Sequence, residues 1–287
     1  MQKIRPVVLE QMIRARLTSA EVNFLVYISQ YQDDTGLVSG VYYKEICEKL
    51  EISYQKFYDV KESLIRKGLI RAEKNSYCDW DIRILQNDFS DHDYSSGYLS
   101  TNHQIFQNAA FFRMKAGAKV LAMHLLRICQ SNRGHYRIGV VTFYETYQKL
   151  FGVTKRVLQN YLTELRQFFS VCIREHLYFI TPKKNVYRQT ITTVSETERY
   201  NQQIGSTICR RLKIREYSGQ NLKDTAALLT QYAQRLGTQA VTLLSLAVQR
   251  SLEKLNERVK RPHQRKRELQ PKLVHRCLTE ILMAQGI

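Results

Sequence analysis

Thr154, Lys155, Arg156, Gln159, Asn160, Thr163 and Arg166 lie in one short stretch, with Val157, Leu158, Tyr161, Leu162 and Leu165 between them. On a helix the apolar set faces a core and the polar set faces outward. Hydroxyl, carboxamide and guanidinium groups read base edges, and Lys and Arg neutralise phosphate. The polar set is therefore a candidate DNA-reading surface, although a solvated helix face would carry the same residue types. A second stretch offers Ser53, Tyr54, Gln55, Lys56, Tyr58, Lys61, Arg66 and Lys67, but Asp59 and Glu62 lie among them and weaken it. Lys74 and Asn75, and Arg174 and His176, occupy tight turns that could present them to phosphate or the minor groove, or simply to solvent. Arg258, Lys260, Arg261, Arg265, Lys266 and Arg267 follow one another with no acidic residue between them, and Pro262 interrupts any continuous helix there. This cluster reads as a phosphate-binding strip or as a solvated loop.

Signatures of other chemistry are missing. There is no Gly-x-x-x-x-Gly-Lys-Ser/Thr phosphate loop, no Gly-x-Gly-x-x-Gly fingerprint, no His-Glu-x-x-His and no Gly-x-Ser-x-Gly. Asp91-His92-Asp93 has metal-ligating side chains, yet it sits among Ser90, Ser95, Ser96 and Gly97 and reads as a solvated linker. His124 falls on the apolar face of its helix and reads as a core histidine. Tyr27, Tyr31 and Tyr161 read as core or rim aromatics rather than nucleophiles, since no Arg-His set or carboxylate cluster accompanies them. The expectation is a protein that is not an enzyme and has no cofactor and no metal.

The chain has 287 residues, 44 of them Lys or Arg against 26 Asp or Glu, for a formal net charge of +18. Such a balance favours a polyanionic partner. The excess is uneven: residues 1–90 carry 13 basic and 13 acidic side chains, residues 91–204 carry 15 and 7, and residues 205–287 carry 16 and 6. No apolar run is long enough to span a bilayer, and the N-terminus shows no signal-peptide pattern. The six cysteines never form a Cys-x-x-Cys pair, which fits a reducing cytoplasm, and a DNA partner would make the expected location nucleoid-associated.

The elements that must position these residues occur twice. At an offset of 100, Leu25 falls on Leu125, Ile28 on Ile128, Gln30 on Gln130, Val41 on Val141, Glu45 on Glu145, Lys49 on Lys149 and Leu50 on Leu150. After a one-residue insertion near Gly152, Ile52 falls on Val153, Ser53 on Thr154, Phe57 on Leu158 and Leu64 on Leu165. The preserved order of apolar and polar classes specifies a fold more than the few identities do. In the first copy Thr18-Ser-Ala-Glu21 fits a capping box opening a helix to about Tyr31. A short strand at 38–41, helices at 43–50 and 53–67, and a hairpin of 69–73 with 79–85 follow. The second copy predicts a helix at 115–131, a strand at 138–141, helices at 143–151 and 154–168, and strands at 169–174 and 177–181. Beyond Gly205, helices are expected at 222–236, 238–260 and 272–283, with Leu243, Leu246, Ala247, Leu255 and Val259 forming an imperfect apolar stripe.

Helix, strand, helix, turn, helix and two-stranded hairpin is the order in which the chain resembles the tandem winged helix DNA-binding proteins of bacteria and their plasmids. The residues that carry the resemblance are Tyr43-Lys-Glu-Ile-Cys-Glu-Lys-Leu-Glu-Ile-Ser53 and Phe143-Tyr-Glu-Thr-Tyr-Gln-Lys-Leu-Phe-Gly-Val-Thr154, within residues 18–85 and 115–181. The resemblance implies that the third helix of each copy enters the major groove while the wing touches phosphate. The expected architecture is mainly α with small β-wings: a near-neutral first winged helix domain (1–90), a linker (91–112), a basic second winged helix domain (113–200) and a basic helical C-terminal domain (205–287). The expected partner is double-stranded DNA, bound sequence-specifically by a transcriptional regulator. The alternatives are a replication initiator at origin repeats, with the first winged helix or the C-terminal helices making a homodimer or holding a partner protein, and a protein-interaction adaptor. No membrane association is expected.

Overall fold

The computed structural model describes residues 2–76, 79–187, 195–257, 259, 261 and 264–286. The chain is mainly helical with small antiparallel sheets. It divides into two compact units, Met1–Thr193 and Val194–Ile287.

In the first unit, helix α2 (Ser19–Ile28) starts at the expected capping box. The Thr18 side chain accepts from the Glu21 N–H, and the Glu21 carboxylate accepts from the Thr18 N–H at 2.6 Å. Strand β2 (Leu37–Tyr42), helices α3 (Tyr43–Leu50) and α4 (Tyr54–Arg66), and strands β3 (Ile70–Lys74) and β4 (Asp79–Ile84) follow. The sheet runs β2-β4-β3, with Val38 opposite Ile82 and Ile70 opposite Ile84. The second half repeats this order with α6 (Ala116–Ser131), β6 (Tyr136–Gly139), α7 (Val140–Phe151), α8 (Lys155–Leu165), β7 (Phe169–Arg174) and β8 (Leu177–Pro182), and its sheet runs β6-β8-β7. In both halves a left-handed residue closes the third-to-fourth element turn: Glu51 at φ 51° and Gly152 at φ 62°. Gly152, beside the one-residue insertion, meets this backbone requirement without the steric cost that Glu51 bears. The strand expected at 138–141 lies two residues earlier, because Val140 already opens α7.

The stretch 91–112 is not simply a linker. Leu99 and Ser100 form strand β5, paired antiparallel with β1 (Lys3–Ile4), while Ile105, Phe106 and Phe111 are buried in the same hydrophobic core as both halves. Tyr94 and Tyr98 pack over the Lys3 ammonium at 4.4 and 4.6 Å from their ring centroids, and Arg5 pairs with Asp91 at 2.9 Å. Cation–π contacts and this ion pair hold the chain between the halves against the N-terminus. The sequence alone does not reveal this, because the partners are about 90 residues apart.

Helix α1 (Pro6–Arg14) and helix α5 (Ala109–Arg113) extend the repeat beyond its readable part. Helix α1 packs on α6, its counterpart α5 packs on α2, and the equivalent helices α2 and α6 pack on each other. Lys119, at the position equivalent to Ser19, is fully buried there. Its ammonium donates to Ser19 Oγ at 2.5 Å, Asn23 Oδ1 at 2.6 Å and the Phe112 carbonyl at 2.7 Å.

The second unit is helical: α9 (Glu196–Arg211), α10 (Gly219–Gln231), α11 (Ala233–Leu236), α12 (Ala240–Asn256) and α13 (Pro271–Ala284). Its core joins Ile204, Ile208, Leu243, Leu244, Ala247, Val248, Val274, Leu278 and Ile281. Leu243 and Ala247 of the expected stripe are buried, but Leu244, Val248 and Ser251 complete the buried face while Leu246 and Leu255 lie at its edge. The unit begins before Gly205, since α9 opens with Ser195 accepting from the Glu198 N–H at 3.0 Å.

Candidate nucleic-acid interface

Helix α8 buries Leu158, Leu162 and Leu165 and exposes Lys155, Arg156, Gln159, Asn160 and Thr163, with Thr154 and Arg166 exposed at its ends. A spacing of three or four residues between the leucines places one stripe inward and leaves the polar residues outward. Thr154 caps the helix by accepting from the Val157 N–H, and Ser53 caps α4 in the same way from Lys56. Both residues were expected to contact DNA. Each oxygen spends one lone pair on the backbone, leaving the hydroxyl proton and a second lone pair for a ligand. Thr163 donates back to the Gln159 carbonyl at 3.0 Å, and Lys155 lies 5.0 Å from the centroid of the Tyr144 ring. Among the described residues, the side chains of Arg156, Gln159 and Asn160 make no hydrogen bond or ion pair.

The electrostatics favour this half strongly. Residues 102–187 contain 13 Lys and Arg against 3 Asp and Glu. Of those three, Glu164 accepts from the Lys115 N–H at 3.0 Å and is half-buried, Glu145 lies exposed on α7, and Glu175 sits in the β7–β8 turn beside exposed Arg174 and His176. Lys183 donates to the Arg166 carbonyl at 2.5 Å, at the C-terminal end of α8 where a cation is favoured by the helix dipole. Lys183, Lys184 and Arg133 add exposed cations that the sequence reading did not select, although the adjacent lysines just past the hairpin were a visible signal.

Helix α4 is a different surface. Tyr54, Gln55 and Lys56 are exposed as expected, yet Gln55 donates to Asp59 at 2.8 Å and Tyr54 shares a hydrogen bond with Tyr58 at 3.2 Å. Tyr54 also stands edge-on to Tyr43, and Tyr58 edge-on to Trp80. Lys61 and Lys67, expected on the outward face, are not there. Lys61 is 1% exposed, with its ammonium 3.9 Å from the Trp80 ring centroid and paired with Glu62. Lys67 pairs with buried Glu21 at 2.7 Å. Burial would raise the Glu21 carboxyl, but hydrogen bonds from Lys67, Ser63 and Thr18 outweigh it and hold it below the ordinary carboxylate range. Lys74 is exposed at the end of β3, whereas Asn75 is bonded to Asp81.

Behind α8, the helix α6 passes so closely that a Cβ on Gly117 would lie 2.3 Å from Tyr161 Oη and 2.6 Å from its ring edge. Gly117→Ala should therefore lower stability by about 1–3 kcal/mol through overpacking, despite a helix-propensity gain of about 1 kcal/mol. Urea denaturation of Gly117→Ala, alone and combined with Tyr161→Ala, checks the cause. The second change should rescue part of the loss, and simple additivity would rule out the Tyr161 clash.

His124 is half-buried against Tyr147, and burial pulls both His124 and His103 down to about 4, so both are neutral at neutral pH. Arg261, Arg265, Lys266 and Arg267 are exposed in the second unit, whereas Arg258, Lys260 and Pro262 lie outside the described residues. Among the described residues there is no cluster of three metal-ligating side chains, and no helix is long and apolar enough to cross a membrane. No protein-family model, no curated protein and no solved structure matches the chain.

Proposed function

We propose that the chain binds double-stranded DNA sequence-specifically through two winged helix units, with α8 as its principal base-reading helix and regulation of transcription as its role. The observation that carries this reading is the outward face of α8, where Arg156, Gln159 and Asn160 are exposed and uncommitted in a half of the chain with 13 cations against 3 anions. Arg pairs bidentately with guanine, and Asn or Gln with adenine, in the major groove. The shared sheet order of the two halves supports the winged arrangement, with β3–β4 and β7–β8 as the wings.

The contact of equivalent helices α2 and α6, with Lys119 bonded to its own equivalent Ser19, is the pattern of an approximate two-fold axis. One chain then behaves as a covalent dimer of unequal halves, and its site consists of two dissimilar half-sites in inverted orientation. That self-sufficiency also favours a second reading, initiation of replication, because one chain occupies one complete unit of a repeated origin.

Selection of bound fragments from random and host genomic duplexes tests the proposal, followed by titration of the best fragment at several salt concentrations. A defined motif with a steep salt slope is expected, and promoter-proximal or origin-repeat location separates the two roles. Absence of enrichment at any salt would sink both and turn attention to protein partners.

A further inference from the structure

The C-terminal unit contains a cleft of about 490 Å³ whose wall carries Arg211, Lys213, Arg265, Lys266 and Arg267, with Glu253 as the one carboxylate among the described residues. Leu212 and Leu252 give it a partly apolar lining. Five cations converge here from two separate parts of the chain, the C-terminal end of α9 and the segment preceding α13. Arginines and lysines that close together repel one another and are relieved by a polyanion.

The basic segment is pinned rather than loose. Asn256, at the end of α12, accepts from the Lys266 N–H at 2.6 Å and donates to the Lys266 carbonyl at 2.9 Å. The Arg267 carbonyl accepts from the N–H groups of Arg215 and Glu216 at 3.0 and 3.1 Å, and Leu269 N–H returns to the Glu216 carbonyl at 3.0 Å. Residues 265–269 are thus sewn to both α12 and the chain after α9. Their side chains project from a backbone already fixed, so ligand capture has to order side chains but not backbone. Glu253 accepts from Gln249 at 3.0 Å on the exposed face of α12, and Arg265, Lys266 and Arg267 are exposed beside it.

We infer that this cleft is a second, sequence-independent nucleic-acid site that grips the phosphate backbone. Among the described residues the lining contains no aromatic side chain on which a base could stack and no Asn or Gln other than Asn256, already committed to the backbone, and Gln249, already bonded to Glu253. Its chemistry matches phosphate charge and not base identity. The site supplies affinity to whatever duplex α8 selects, so the inference adds to the proposed function but does not depend on α8 being the reader.

The test uses the full-length chain with Arg265→Ala/Lys266→Ala/Arg267→Ala, and separately Asn256→Ala, which leaves every cation in place and releases the segment that presents them. Binding to the selected duplex and to an unrelated duplex of equal length is titrated across salt. Loss of about two to three phosphate contacts should flatten the log–log salt slope by about 2–3 and weaken both duplexes by the same factor. Asn256→Ala should reproduce part of that loss, while circular dichroism and melting of both variants remain close to wild type. Unchanged slopes in the triple variant would overturn the inference, as would a loss confined to the selected duplex. If Arg156→Ala leaves binding intact while the triple variant abolishes it, the cleft stands and the reading role of α8 falls. The reverse outcome removes the cleft and keeps α8.

Discussion

Arg156→Ala and Asn160→Ala are each expected to reduce affinity for the selected duplex by about tenfold to a hundredfold, because a bidentate base contact contributes about 1–3 kcal/mol of discrimination. Affinity for unrelated duplex should change little with Asn160→Ala and only by one phosphate-equivalent with Arg156→Ala. The matched pair on the other helix, Gln55→Ala and Lys56→Ala, should stay within about threefold. The reason is geometric: Gln55 is bonded to Asp59, and Glu62 is exposed on the same helix, so α4 offers a base little that is not already taken and repels phosphate. Competition binding with each half-site scrambled in turn checks the ranking, and equal losses from both pairs would refute it. Both residues lie on the exposed side of α8, away from Leu158, Leu162 and Leu165, so the variants should melt within a degree or two of wild type.

The contrast between the two helices shows which parts of this chain are written locally. The repeat, the capping box and the other caps, and the outward face of α8 follow from short-range spacing. The Thr18–Glu21 box, the caps at Ser53 and Thr154, and the leucine stripe need no knowledge of the rest of the molecule. Lys61 was also legible, since it falls four residues after Phe57 and three before Leu64, on the buried side of α4. Charge alone argued for the surface, and periodicity was the better guide. Lys67 is different: its carboxylate partner Glu21 comes from another helix, and no local pattern announces that pairing. Likewise Ile105, Phe106 and Phe111 look like scattered apolar residues in a polar stretch until α5 finds its place on α2. The second copy begins near residue 102, so counting charge from that point sharpens the contrast between the two halves. The basic cluster after Arg258 was legible as charge but not as a site, because Arg211, Lys213 and Asn256 reach it only through the packing of the C-terminal helices.

Lys119 joins the halves, and its titration should be measurable. Burial pulls its ammonium down to about 8 from an ordinary value near 10.5, while Ser19, Asn23 and Phe112 supply the acceptors that keep it in place. Between about pH 8 and 10.5 the unfolded chain then holds a proton that the folded chain has released, so folding stability contributed by this group rises with pH across that window. The slope should approach about 1.4 kcal/mol per pH unit, for a total of about 3 kcal/mol. Lys119→Met keeps the length and apolar stem but not the titrating group. It loses the donors to Asn23 and Phe112, a cost that does not vary with pH, and the wild-type gain relative to it should appear only in the alkaline arm. Denaturant unfolding of both proteins at pH 7.5 and 9.5 isolates the effect, because tyrosines and cysteines common to both cancel in the difference. Parallel stabilities would mean that the ammonium keeps its ordinary basicity at the junction. A diverging pair would instead show that the folded chain releases the Lys119 proton where α2 packs on α6, because burial there penalises the charged ammonium more than its three acceptors compensate it.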